Sequence, residues 1–122
     1  MIAVMVACAA APTGGVPTFL PEGRGQLTAA LEGELAVRDG CLVVDTGTST
    51  FAIAWDAGAT IWHADENRID VGDISAQVGD RVAVAGGEWP VPSLDDWDWV
   101  IAPSEGCLAQ GGFWIAWSLE HL

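Results

Sequence analysis

A chain of 122 residues and 12.7 kDa is the size of one domain, and 51% hydrophobic against 17% charged residues can fill a single core, which excludes intrinsic disorder. Its 17 Asp and Glu face four basic residues, all arginine (Arg24, Arg38, Arg68 and Arg81), for a formal charge of −13. Four scattered arginines supply no basic patch, so neither nucleic acid nor electrostatic docking on anionic lipid headgroups is expected.

Residues 1 to 21 carry no charged side chain, and Met1 to Ala11 are an unbroken apolar run, too short for the roughly 20 residues that span a bilayer. Met5-Val6-Ala7-Cys8 resembles a bacterial lipobox, in which a small residue precedes a cysteine whose thiol is lipidated before cleavage. The resemblance implies a signal-peptide remnant with its lipobox over 1–8 and lipidation at Cys8. Ala9-Ala10-Ala11-Pro12-Thr13-Gly14-Gly15 reads as a flexible tether over 9–25, leaving a single domain over 26–122. The plainer reading makes Ile2 to Val6 a buried strand and Cys8 an inert core thiol.

Leu27, Leu31 and Leu35 recur at helical spacing, but Leu31, Gly33, Leu35 and Val37 also alternate, and Gly33 weakens a helix by about 1 kcal/mol. Asp39-Gly40 between Leu35-Ala36-Val37-Arg38 and Cys41-Leu42-Val43-Val44 is a strong two-residue hairpin signal, because both turn residues must accept positive φ. Strand is therefore expected from about Leu31. Thr50 to Trp55, Ile61-Trp62, Ile69 with Val71, Arg81 to Ala85 ending at Gly86-Gly87, and Phe113 to Trp117 follow as further strands. Glu88 to Gly106, with three prolines, is the least regular stretch. Short strands at this spacing predict an all-β fold, a small OB-like or Greek-key β-barrel of about five to six short strands.

With Cys8 set aside, Cys41 and Cys107 remain. In an exported protein such a pair forms a disulfide, and closing a loop of about 66 residues contributes roughly 4 kcal/mol in the chain-entropy model. The alternative is two buried free thiols in a cytosolic protein. A metal site is not expected, since there is no Cys-x-x-Cys and the histidines are His63 and His121.

The order of Asp39-Gly40-Cys41-Leu42, a strand with Trp55, Val78-Gly79-Asp80 before a strand ending in Gly86-Gly87, and a late cysteine before a final apolar strand resembles small uncharacterised bacterial lipoproteins with an OB-like barrel. The resemblance covers about residues 31–118. It implies an architecture and no chemistry.

Val43-Val44-Asp45-Thr46-Gly47-Thr48-Ser49 is similar to the active-site motif of aspartic proteases. There two aspartates share a proton to activate water, so one copy would demand a homodimer of the retropepsin kind with Asp45 as the catalytic residue. The short distance from Gly40 to Asp45 and the absence of a helix pattern after Gly86 favour an ordinary polar turn. Trp89, Trp97 and Trp99, interleaved with Asp95, Asp96 and Asp98, are candidate ligand-binding residues: indole faces beside carboxylates stack on sugars or anchor a protein partner. The plainer reading buries them over one end of the barrel. Neither the aspartate run at 95–98 nor Asp65 to Asp73 has calcium-loop spacing, and no nucleotide or nucleophile fingerprint is present. The expectation is an exported, lipid-anchored binding or envelope-associated module, periplasmic or on the cell surface, without catalysis, cofactor or metal. Its expected partner is a glycan, a peptide or an envelope protein, with membrane contact only through the anchor.

Overall fold

The computed structural model describes residues 15–21 and 29–122. It is all-β. Strands β1 (Thr18–Leu20), β2 (Ala29–Arg38), β3 (Cys41–Asp45), β4 (Thr50–Asp56), β5 (Thr60–His63), β6 (Arg68–Val71), β7 (Ile74–Gln77), β8 (Arg81–Glu88), β9 (Asp98–Ile101) and β10 (Gly112–His121) form a seven-stranded and a three-stranded sheet. The larger sheet closes on itself. β2 pairs with β3, β3 with β4, β4 in parallel with β10, and β10 through β8 back to β2. The result is a five-stranded Greek-key barrel of the OB-like kind, within the expected number; two of its strands run to ten residues, and five strands lie outside it.

Local chemistry accounts for the turns. Asp39 and Gly40 both take positive φ, 55° and 75°, and bring Arg38 opposite Cys41, as the Asp-Gly pair predicts. Gly72 opens the two-residue turn that sets Val71 opposite Ile74. Gly86 is a different case. It does not end its strand, because β8 runs on to Glu88; a Cβ at Gly86 would collide with the carbonyl oxygen of Ile115, so glycine lets β8 and β10 approach closely.

The buried side chains form two layers. Inside the barrel Leu35, Leu42, Val44, Ile53, Trp55 and Val82 pack together, joined by Ile69, Val71 and Ala76 of the three-stranded sheet. Outside it Cys41 and Val43 of β3, Ala52 and Ala54 of β4, and Phe113 and Ile115 of β10 meet Phe19, Leu94 and Trp97. Strands β3, β4 and β10 are therefore covered on both faces, which is why they are continuous apolar runs in the sequence and not alternating ones.

The outer layer corrects the expected tether over 9–25. Within it Thr18–Leu20 is a strand, parallel to β4 and antiparallel to β9, and Phe19 is fully buried. Burying a phenylalanine contributes about 1.5–3 kcal/mol, which offsets part of the cost of ordering the segment, and the hydrogen bonds to β4 and β9 add to it. The expected lipobox and Cys8 lie outside the described residues.

The stretch after β8 is also more ordered than expected: a 3-10 turn over Val91–Asp96, then β9, then one helical turn, α1 (Glu105–Leu108), capped by the Ser104 hydroxyl. Cys107 in α1 is bonded to Cys41 in β3, with 5.0 Å between Cα atoms. The disulfide thus fastens the outer layer to the barrel wall.

Candidate binding surface

The tryptophan trio divides on burial. Trp97 is 4% exposed and packs edge-on against Phe19 and Trp89, so its ring offers no face to a ligand and the expected role there is corrected to packing. Trp89 and Trp99 are half-buried, and their indole N–H groups donate to the carbonyls of Ser93 and Leu94. Trp99 combines this anchoring with an accessible hollow of about 240 Å³, which it lines with Val91, Leu94, Asp95, Pro103 and Leu108.

Trp99 belongs to β9, and β9 is the margin of the seven-stranded sheet. Among the described residues it pairs only with β1. A second hollow, of about 410 Å³, is walled by Val100 and Ile101 of β9, by Val16 and Thr18, and by Ile61 and Trp62 of β5, itself the margin of the smaller sheet. Strand β9 therefore sends Trp99 to one hollow and the next two residues to the other. Thr60 Oγ1 and Trp62 Nε1, on residues of the second wall, are buried without a hydrogen-bond partner among the described residues.

The exposed apolar side chains gather here. Of the seven large ones among the described residues, Val91 and Leu108 border the first hollow, Ile61, Val100 and Ile101 the second, and Leu20 stands opposite Asp98; only Leu122 lies elsewhere in the chain. Singly exposed hydrophobics are common; here, among the described residues, they cluster at one sheet margin.

Asp45 ends β3 and starts a tight hairpin. Its Oδ1 accepts from the Gly47 N–H at 2.8 Å, the Thr46 hydroxyl accepts from the Ser49 N–H, and Asp45 stands opposite Thr50. Its other oxygen accepts from Arg38 at 3.2 Å. This is the Asx-turn chemistry in which Asp, Thr and Gly are ordinary. A protease would need the same carboxylate to face a second one and share a proton with it.

Sequence reasoning passed over a polar cluster on the three-stranded sheet. The register sets His63 opposite Arg68 and Asp70 opposite Ser75, so alternation brings all four to one face. Asp70 accepts from Ser75 at 2.5 Å, from Arg68 at 2.9 Å and, through its other oxygen, pairs with His63 Nε2 at 2.9 Å. The Ser75 hydroxyl, with help from His63 and Arg68, holds the Asp70 carboxyl below the usual carboxylate range against the opposing effect of desolvation. A serine nucleophile needs histidine as its direct neighbour; here aspartate stands between the two, so the cluster is a pinned cross-strand network. The signal that could have found it is the alternation of Arg68, Asp70 and Ser75 across a short turn. Among the described residues no three His, Cys, Asp or Glu side chains converge to hold a metal ion. Compared with protein-family models, curated proteins and solved structures, the chain matches none.

Proposed function

We propose that the protein is an exported, lipid-anchored β-barrel, periplasmic or on the cell surface, that acts as a binding module for other proteins at the surface around β9. The observation that carries the binding role is the gathering of exposed apolar side chains and two hollows at a sheet margin that is unpaired among the described residues. Export is supported by the Cys41–Cys107 disulfide, since such bonds persist in oxidising compartments. The anchor is supported by Met5-Val6-Ala7-Cys8 within an uncharged apolar run.

Labelled fatty acid fed to cells making the full chain tests the anchor. Incorporation that is lost in Cys8→Ala is expected; no incorporation, or label kept in Cys8→Ala, overturns it. Alkylation of unreduced protein from its native compartment tests export. Free thiols at both Cys41 and Cys107 would remove that support.

A further inference from the structure

Resting on the reading of the protein as a binding module, we propose that the outer edge of β9 takes up an extended segment of a partner protein. That segment carries apolar side chains at alternate positions and lysine or arginine near its ends. A strand margin presents a row of backbone donors and acceptors to which another strand can add, and natural proteins guard such margins with lysine, proline or a covering element. Among the described residues β9 (Asp98, Trp99, Val100 and Ile101) is short and carries one charge, Asp98, but has no lysine or proline, and it pairs only on the β1 side. In strand addition the main chain supplies affinity, and pockets for alternate side chains supply specificity. The hollows entered by Trp99 and by Val100 with Ile101 stand where such side chains would go.

Charge selects the occupant. From Val82 to Leu122 the chain has no lysine or arginine but carries Glu88, Asp95, Asp96, Asp98, Glu105 and Glu120. Asp95 lines the first hollow and Asp98 begins β9 itself. A second copy of this chain would bring another −13 charge to the same margin and be repelled, whereas a segment with basic ends is drawn to it.

The test uses the full oxidised chain and a synthetic peptide with valine and threonine alternating between terminal lysines. Affinity is measured by titration, and amide hydrogen exchange by NMR locates the contact. Exchange is expected to slow along Asp98–Ile101. Affinity should fall about tenfold when the pairing-edge amides of the peptide are N-methylated, the factor that loss of one or two net hydrogen bonds implies. Asp98→Lys should weaken the basic peptide and strengthen one with terminal glutamates. Equal binding of the N-methylated or the acidic peptide, or slowed exchange elsewhere, overturns the inference. So does a dimer in sedimentation whose β9 amides are protected without peptide. A chitohexaose probe that shifts Trp99 when no peptide binds would overturn strand capture and leave a binding role at this surface standing, with a glycan and not a protein as its partner. No response to either probe overturns both.

Discussion

The outward face of the three-stranded sheet and the margin at β9 are both exposed, and they treat exposure in opposite ways. On the sheet face His63, Arg68, Asp70 and Ser75 hydrogen-bond to one another, so these polar side chains are satisfied by their own neighbours. At β9 the outer edge pairs with no described residue and Val100 is 57% exposed, so both polar backbone and apolar side chain remain to be covered. What separates the two surfaces is whether their own neighbours satisfy them.

The largest expected effect breaks the support of β9. Phe19 stands opposite Trp99 and touches Trp97, Trp99 and Trp117. Phe19→Ala should cost about 3–5 kcal/mol in urea unfolding, and exchange should quicken at β9 more than at β6. Equal quickening in both regions would show that they do not behave separately.

Removing the disulfide comes next. Cys41→Ala with Cys107→Ala should cost about 2–4 kcal/mol in the same measurement and increase fluorescence quenching of Trp89 and Trp99 by acrylamide. Unchanged quenching would mean that the outer layer holds without its fastening.

A smaller effect sharpens the other side. Because the carboxyl of Asp70 is held below its usual value of 3.8, its contribution is fully present above that pH and fades as the pH falls through the lowered value. Asp70→Asn should therefore lower stability near neutral pH and flatten its decline as the pH falls below 3.8. The group is surface-exposed, so the change should be below that of either preceding variant. An identical decline in both proteins would remove Asp70 from the account.

The smallest expected change is at β9 itself. Val100→Asp should alter stability by no more than about 0.5 kcal/mol, as for an exposed site without partners. A loss above about 2 kcal/mol would show that Val100 already packs against the protein.

Some of this was legible because its cause is local. Asp39-Gly40 announced the first hairpin through its backbone preference, and the alternation of Val82 and Val84 marked β8. The pairing of Cys41 with Cys107 followed from setting Cys8 aside as a lipid attachment point. Other features were hidden because their causes are distant in sequence. Three residues, Thr18–Leu20, have no period of their own and become a strand only because β4 and β9 lie on either side. Trp97 looks like a binding residue beside its aspartates until Phe19 and Trp89 close over it. His63 looked solitary until the register of β5 and β6 set it near Asp70.

The sequence by itself determined an acidic, all-β fold with its Asp39-Gly40 hairpin, because composition and turn chemistry act within a few residues. Which strands close the barrel, which tryptophans are covered and which described strand lies at the sheet margin were decided only by the tertiary structure. Each depends on what packs against a surface from elsewhere in the chain, and no local pattern carries that information.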